Sequence, residues 1–363
     1  MYASCRVPWV APYSALGCYG PVSWLTGGGL VRLPRTRRGE LFALHVLRGQ
    51  AQVHFMPSAV TGVIFTVALF AAGWEYGLYG LVGTALGTGT AQVLGVDRSR
   101  VSAGLEGFNA CLVAVGFAVF LGPGHPSTMV LAAGGCAVVT VVTAAATTLL
   151  RGWGLPTLTL PFCLMATAMT IAAPGFERVW HGGPHSAELS RAAEGSVALA
   201  VDDVGRAFLA NIAQIFLMPQ WYVGLILLVG IFAASRTAGA MACVGSTVGL
   251  VTAWALGAPT ARIVDGSMGY NAVLVAMALC GVLLAADRWS LGFAVAGAAT
   301  ATVLGPALNA LFAPACGHAF TWPFVLTTLV FVASVPALPR LHRAAPPAVR
   351  ALPEVGSEVV LGA

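Results

Sequence analysis

Two ten-residue stretches, GLEGFNACLV at residues 104–113 and GSMGYNAVLV at residues 266–275, decide how this chain is organised. Six of the ten positions are identical, and the offset between the stretches is 266 − 104 = 162 residues. The same offset, without a gap, matches residues far from these stretches. It pairs Gln52 with Gln214, Pro57 with Pro219, Gly62 with Gly224, Phe70 with Phe232, Gly83 with Gly245, Leu94-Gly95 with Leu256-Gly257, and Thr159-Leu160-Pro161-Phe162 with Thr321-Trp322-Pro323-Phe324. One constant offset over this length indicates an internal repeat, so the chain contains two copies of one unit.

The composition places both copies in a membrane. Of the 363 residues, 58% are hydrophobic and only 9% are charged, whereas a soluble domain carries about 25% charged residues. The mean hydropathy is +0.85. We therefore predict an all-α polytopic membrane protein and exclude a soluble or disordered chain. The candidate membrane segments are 41–56, 59–74, 77–95, 101–121, 128–150, 157–173, 207–218, 221–235, 238–257, 263–285, 290–313 and 320–338. Several are shorter than the roughly 20 residues that a spanning helix needs, which is typical of segments that line a site between two repeats.

The charged and metal-binding residue types exclude several classes of function. All 18 basic residues are arginines, so the chain has no lysine for a nucleotide-binding loop or a Schiff base, and it does not drive transport with ATP by itself. None of the eight cysteines forms a CxxC pair, and the seven histidines form no HxxxH or HExxH set. We therefore predict no disulfide framework, no metal site, no cofactor and no nucleic-acid partner.

The distribution of arginine predicts the topology. The two ends of the chain hold nine of the eighteen arginines, whereas the central linker holds three arginines against five acidic residues. Basic ends belong in the cytoplasm, so we predict cytoplasmic termini and an external linker. Each half then crosses the membrane an odd number of times, and the halves are inverted copies about a pseudo-two-fold axis. The predicted parts are a flexible tail at 1–40, a first membrane repeat at 41–173, an extracellular linker at 174–206, a second membrane repeat at 207–338 and a C-terminal tail at 339–363.

The duplicated Thr-x-Pro-Phe elements predict helices that begin inside the membrane. Proline donates no backbone hydrogen bond and disfavours helix in the residue before it. Irregular backbone at membrane depth is tolerated where it is buried in protein or lines a cavity. A single element would favour a kinked helix whose threonine bonds its own backbone. Two copies at one offset favour pore lining by Thr159 and Thr321.

Duplicated glutamines and aromatic residues are further candidates. Gln52 and Gln214 carry amides in apolar segments, where they either join helices or meet a water-filled pore. Phe108 and Leu112 share one helix face because they are four residues apart, as do Tyr270 and Leu274. Such a stripe by itself is as compatible with a helix core as with a site.

Together these motifs resemble the urea transporter family. The motifs that carry the resemblance are Leu47-Arg48-Gly49-x-x-Gln52-Val53, Gly83-Thr84, Leu94-Gly95-x-Asp97-Arg98, Gly104-x-x-Gly107-Phe108-Asn109, Leu155-Pro156-x-x-Thr159-Leu160-Pro161-Phe162, and their matches in the second half. The resemblance covers about residues 41–338. It implies a homotrimer in the plasma membrane in which each subunit has its own pore. It also implies two inverted halves of five transmembrane helices plus a tilted re-entrant segment, with the pore at the pseudo-two-fold axis. Finally, it implies that urea passes down its gradient without a coupling ion.

The resemblance also implies roles for individual residues. Three groups are expected: a ladder of hydrogen-bond acceptors, the residues beside it, and the flat walls of a slot. The ladder and its neighbours are Gln52, Val53, Phe55, Thr159, Gln214, Ile215 and Thr321; the walls are Phe108, Leu112, Tyr270 and Leu274. Urea is planar and neutral with four N–H donors, so a narrow slot with acceptors along one edge suits it. An unpaired buried polar group costs about 1–3 kcal/mol, so the ladder decides how fast urea passes.

The sequence departs from the family pattern at several positions. His54-Phe55-Met56-Pro57 replaces the usual asparagine-rich run, and Glu106 lies between two glycines where a neutral or aromatic residue is usual. Asp265 precedes Gly266. An acid in a membrane segment is a functional candidate, but a carboxylate near a helix start in the headgroup region is the alternative for Glu106 and Asp265. Tyr270 places a hydroxyl near one slot.

Other functions remain open from the residues alone. A pore for a urea-like small amide, ammonia or water differs from a urea channel only in the width of the slot. A membrane-embedded hydrolase is disfavoured because no nucleophile, base and acid recur together, and Glu106 is matched by Met268 in the second half. A structural scaffold would not need two Thr-x-Pro-Phe breaks.

Overall fold

The computed structural model describes residues 35–180 and 198–344, and most of these residues lie in helices. Within these ranges no strand is present apart from a single antiparallel bridge. The helices are α1 Arg35–Ala51, α2 Ala59–Ala72, α3 Trp74–Val93, α4 Arg98–Ser102, α5 Phe108–Leu121, α6 Pro126–Arg151, α7 Leu160–Ala172, α8 Val201–Ala213, α9 Trp221–Ala234, α10 Arg236–Ala255, α11 Thr260–Val264, α12 Tyr270–Met277, α13 Arg288–Phe312 and α14 Trp322–Ser334. The prediction of an all-helical chain with apolar segments is confirmed.

The helices repeat at the offset that the sequence predicts. Helix α9 begins 221 − 59 = 162 residues after α2, and both helices have 14 residues. The pairs α3 with α10, α4 with α11 and α7 with α14 match in the same way. The repeat extends to backbone conformation, because Phe55 and its match Leu217 both have φ 63°. The two halves therefore share one local fold.

A sharp bend joins the first two helices of each half. Helices α1 and α2 meet at 75°, as do α8 and α9. Phe55 adopts a left-handed conformation after a short 3-10 turn, and Pro57 prevents the helix from continuing. Ser58 then caps α2, and its hydroxyl accepts a hydrogen bond from the Thr61 N–H at 3.2 Å. The bend places Gln52 and Val53 in an irregular turn instead of a helix interior.

Two predicted boundaries lie elsewhere in the structure. Helix α1 begins at Arg35, inside the predicted tail, and α8 begins at Val201, inside the predicted linker. The polar residues that led to the linker prediction lie at the start of α8. Asp202 and Asp203 are in the first turn of this helix, where a carboxylate is stabilised by the positive end of the helix dipole. The Asp203 carboxylate accepts a hydrogen bond from the Ala200 N–H at 3.2 Å. Residues 1–34, 181–197 and 345–363, which hold much of the predicted tails and part of the predicted linker, lie outside the described residues.

Few helices are long and apolar enough to span a membrane singly. By length and composition, three helices of the described ranges qualify: α6, α10 and α13 with the turn that follows it to Ala315. Counting each 75° bent pair as one span gives up to five. Helices α5, α7, α12 and α14 are apolar but shorter. Short apolar helices agree with a site between two repeats, and five spanning helices in each half stays a prediction.

The second half departs from the first after α12. The backbone at Cys280 and Gly281 is not helical, so the helix ends earlier than α5 does. The chain beyond α14 returns to this break, where the Ala285 N–H donates to the His342 carbonyl at 2.9 Å and the Ala344 N–H to the Leu283 carbonyl at 3.0 Å. The C-terminal segment is thereby tied to the start of α13.

One apolar core runs through both halves. Helices α2 and α9 pack together, and the Thr61 hydroxyl donates to the Gly230 carbonyl at 3.2 Å across their contact. Nearby, the rings of Phe65 and Phe216 contact each other with centroids 5.9 Å apart. The site described next lies where the halves meet.

Candidate functional site

The two predicted threonines meet at the centre of the contact between the halves. The Oγ1 atoms of Thr159 and Thr321 are 2.7 Å apart and hydrogen-bonded. Both side chains are buried, with 4% and 1% of their surface exposed. They precede helices α7 and α14 at matching positions. Because the hydroxyls bond each other directly, they form a side-by-side pair.

The hydroxyls are available to each other because another residue caps their helices. A threonine before a helix usually accepts a hydrogen bond from the second or third N–H of that helix. In the described structure neither Thr159 nor Thr321 does so. The second helical residue is proline, which has no N–H. The third N–H, of Phe162 and of Phe324, is bonded to an asparagine on another helix.

Asn109 and Asn271 hold the two helix starts in place. The Asn109 Oδ1 accepts from the Phe162 N–H at 3.3 Å, and the Asn271 Oδ1 accepts from the Phe324 N–H at 3.1 Å. Each Nδ2 donates to the carbonyl just before the break, at 3.4 Å to Leu158 and 3.3 Å to Phe320. Those two residues have φ 51° and 42°, a conformation rare outside glycine.

The asparagines were not among the predicted site residues. Both asparagines lie in the motifs that resemble the family. Each copy of the ten-residue repeat contains one of them, so their duplication could have identified them as candidate site residues. Both side chains are buried, with 1% and 4% exposed. A buried amide needs partners, and here one amide satisfies both a helix N–H and a strained carbonyl.

A buried thiol joins the threonine pair on one side. The Cys163 Sγ lies 3.1 Å from the Thr321 Oγ1, and the cysteine side chain is fully buried. The matching residue of the second half is Val325, which has no polar atom on its side chain. The group is therefore a trio of Thr159, Thr321 and Cys163, of which only Cys163 was not predicted from the sequence.

The predicted glutamines lie in the 3-10 turns after α1 and α8. Gln52 is half-buried, and its Nε2 donates to the Ala103 carbonyl at 2.8 Å. The bond uses an amide donor and leaves the Oε1 acceptor for another partner. Gln214 is also half-buried. Val53 and Ile215 follow the glutamines and are buried, with 2% and 1% exposed.

The predicted wall residues lie at the starts of two matching helices. Phe108 and Tyr270 are the first residues of α5 and α12 and are half-buried. Leu112 and Leu274, one turn further, are buried. The Tyr270 hydroxyl donates to the Phe320 carbonyl, so this hydroxyl is held by the backbone. Phe55 reaches the other half, where its ring centroid lies 6.1 Å from that of Phe324.

The unusual polar residues have internal partners. The Glu106 carboxylate is 2.7 Å from the Arg100 Nε and is almost completely buried. Asp265 lies in the turn between α11 and α12 and accepts from the Ser267 N–H at 2.8 Å. The His54 ring is buried against Phe65 at 4.9 Å and Phe216 at 5.5 Å. Within residues 35–180 and 198–344, no three His, Cys, Asp or Glu side chains are placed to hold a metal ion.

Replacing Glu106 with methionine, the residue at the matching position 268, is expected to destabilise the fold by about 1–3 kcal/mol. Removing one partner of a buried ion pair costs more, but about a third of the Arg100 side chain is exposed and stays hydrated. The midpoint of thermal unfolding in detergent measures the change. Asp265→Asn is the control and should cost less, since that carboxylate is only half-buried. An unchanged midpoint in Glu106→Met would contradict a structural role for the ion pair.

Comparison with known proteins gives one consistent family. The sequence model of the family described as "Urea transporter" matches residues 43–335. Urea transporter 1 of Mus musculus is 30% identical over 301 residues, which cover 82% of this chain and 78% of that relative. Urea transporter 1 of Rattus norvegicus is 29% identical with the same coverage, and that of Ovis aries is 29% identical over 306 residues.

Proposed function

Because this chain belongs to the urea transporter family, we propose that it conducts urea passively, as a channel with a narrow uncharged slot. The family consists of membrane-embedded, multi-pass transport proteins that carry urea across membranes, so the chain is a transporter and not an enzyme. The channel mechanism, the slot and the residues that line it are our proposal.

The trio of buried polar groups at the centre of the protein is the observation that carries this proposal. Burying a hydroxyl costs free energy unless it is hydrogen-bonded, and these two hydroxyls bond each other. Here Asn109 and Asn271 take over the capping of the helices, so the hydroxyls of Thr159 and Thr321 are not needed for the fold of their own segments. The remaining acceptor positions of the pair suit the N–H groups of urea.

The rest of the ladder and the walls follow from the same chemistry. The free Oε1 of Gln52 is an acceptor, and Gln214 holds the matching place in the other half. Phe108, Leu112, Tyr270 and Leu274 form apolar walls at the starts of α5 and α12. None of the eleven proposed residues is charged, so an ion entering the slot would lose its hydration shell without compensation, whereas urea exchanges water for neutral acceptors.

We propose that the two halves are inverted copies and that the pore lies on the axis between them. Support comes from the matched helices and from contacts between matched residues: Thr159 bonds Thr321, and the His54 ring lies 5.5 Å from that of Phe216. Residues related by a two-fold axis meet only near that axis. Such an arrangement places the binding site at the repeat interface. A homotrimer in the plasma membrane is proposed from the resemblance to the family.

Urea uptake into proteoliposomes is expected to continue unchanged when proton and sodium gradients are collapsed. Neither a nucleotide motif nor a coupling-ion site among the proposed residues supports active transport. Labelled urea should equilibrate to its external concentration and not exceed it. Parallel measurement of acetamide, ammonia and water identifies the preferred permeant. Accumulation of urea above the external level that disappears with an ionophore would show coupling and refute the channel.

A protease site inserted at position 185, which lies outside the described residues, is expected to be cut from outside the cell. The expectation follows from the net acidic linker and the basic ends of the chain. Intact cells treated with external protease provide the measurement, and a site inserted near residue 350 is the matched control that should resist cleavage. Cleavage at 185 only after the cytoplasm is opened would reverse the proposed topology.

A further inference from the structure

The Cys163 thiol has no assigned role in transport, although it contacts the threonine pair. Three groups form a chain of hydrogen-bond contacts: Thr159 Oγ1 is 2.7 Å from Thr321 Oγ1, and Thr321 Oγ1 is 3.1 Å from Cys163 Sγ. Thr321 is the middle member and carries a single proton. It either donates to the sulfur and accepts from Thr159, or donates to Thr159 and accepts from the thiol.

The donor strengths favour the first arrangement. When Thr321 donates to the sulfur and Thr159 donates to Thr321, both hydroxyl protons are used inside the trio. The reverse order leaves the Thr159 proton to find another partner in a position that is 96% buried. An unpaired hydroxyl costs more than an unpaired thiol, because S–H is only a weak donor.

We propose that Cys163 is a positioning residue for urea passage: its sulfur accepts the Thr321 proton and so leaves both hydroxyls only acceptor positions for the permeant. Thr159 then has lone pairs free, and Thr321 has one. Urea offers four N–H donors, so an acceptor-only surface suits it better than a hydroxyl that rotates between donating and accepting. This inference rests on the proposed function, and it adds that the hydrogen bonds of the trio all run one way, from Thr159 to Thr321 to the Cys163 sulfur.

The second half shows which residue can replace Cys163 at this position. Val325 occupies the place that matches Cys163 and has a similar size but no polar side-chain atom. Cys163→Val therefore makes the halves alike at this position with little change in packing. In the variant the Thr321 proton loses its partner in the trio and turns towards the permeant path, where it opposes a urea N–H.

Transport of three permeants tests the proposal. In proteoliposomes, Cys163→Val should lower urea flux about three- to tenfold, acetamide less, and water less than about twofold, because the effect follows the number of N–H donors. Cys163→Ser, whose oxygen accepts a hydrogen bond, should recover most of the urea flux. The control Cys243→Val, on α10 and half-buried, should transport as wild type. Equal losses for urea and water, or an unchanged urea flux in Cys163→Val, would overturn the proposal.

A second measurement is independent of transport. In thermal unfolding, Cys163→Val and Thr321→Val should be non-additive, since each removes the same hydrogen bond. Cys163→Val and Thr300→Val, which lies on the exposed side of α13 and shares no partner with Cys163, should be additive. Additive effects for Cys163 and Thr321 would overturn the trio. If the wild-type protein moves urea no faster than empty liposomes, the proposed function fails, and the unfolding cycle alone still decides whether the sulfur holds the Thr321 hydroxyl.

Discussion

Valine in place of Thr159 or Thr321 is expected to lower urea flux about five- to hundredfold. Valine keeps the shape of threonine and removes the hydroxyl. One urea N–H then passes the narrowest point without an acceptor, at about 1–3 kcal/mol. Each 1.36 kcal/mol corresponds to about tenfold in rate when that step limits passage. Water flux should fall less, because water redirects its hydrogen bonds to neighbouring waters.

Folding should survive these substitutions because the helix starts are held by other groups. Pro161 and Pro323 break the helices, and Asn109 and Asn271 cap them. Thr300→Val is the matched control: its hydroxyl bonds the Ala296 carbonyl on the exposed side of α13 at 2.8 Å. Stopped-flow urea and water permeability should show a loss only for the central threonines. Wild-type urea flux in both well-folded central variants would mean that the Thr-x-Pro-Phe elements are purely structural.

Leucine in place of Asn109 or Asn271 is expected to affect stability and transport together. In Asn109→Leu, the Phe162 N–H and the Leu158 carbonyl lose their partner in a buried position. In Asn271→Leu, the Phe324 N–H loses its partner, whereas the Phe320 carbonyl keeps the Tyr270 hydroxyl. At about 1–3 kcal/mol for each unpaired group, Asn109→Leu should cost about 2–6 kcal/mol of unfolding free energy and Asn271→Leu about 1–3 kcal/mol. The carbonyls concerned belong to Leu158 and Phe320, one residue before the threonines. Displacement of this backbone should therefore lower urea flux about tenfold or more.

The measurement compares the two leucine variants with each other. Asn109→Leu is expected to lower the thermal unfolding midpoint more than Asn271→Leu does, because the Tyr270 hydroxyl still bonds the Phe320 carbonyl after Asn271 is replaced. The double variant should be less stable than either single variant. A midpoint within error of wild type for Asn109→Leu would show that water satisfies the Phe162 N–H, and the asparagine would lose its assigned role.

The helical architecture was largely predictable because most helices are indicated by both copies of the repeat. The offset between residues 59 and 221 relates two helices of equal length, and the Thr-x-Pro-Phe elements coincide with the starts of α7 and α14. Boundaries at polar residues were less predictable. Asp202 and Asp203 look like linker residues by composition, but they stabilise a helix start through its dipole and a backbone hydrogen bond.

Duplication marks candidate site residues in the sequence, whereas a contact that depends on chain packing leaves no such mark. We expected Thr159 and Thr321 to face each other across one pore near the middle of the membrane; in the structure their hydroxyls are in direct contact. Their direct bond was not expected, because the sequence does not show that an asparagine from another helix takes over capping. Cys163 was missed for a related reason: a thiol in an apolar helix has the pattern of a core residue, and only the fold brings it to Thr321 across 158 positions.

At three positions the two halves differ in a way that two identical subunits could not. His54 faces its own counterpart Phe216, and Cys163 and Glu106 have the counterparts Val325 and Met268. An assembly of two separately made, identical units would carry both thiols or neither, because one gene would specify both sides. A single covalent chain lets each side mutate alone. A single chain is therefore able to hold a central site with a thiol in one half and an aliphatic group at the matching position of the other, which a pair of identical subunits cannot build.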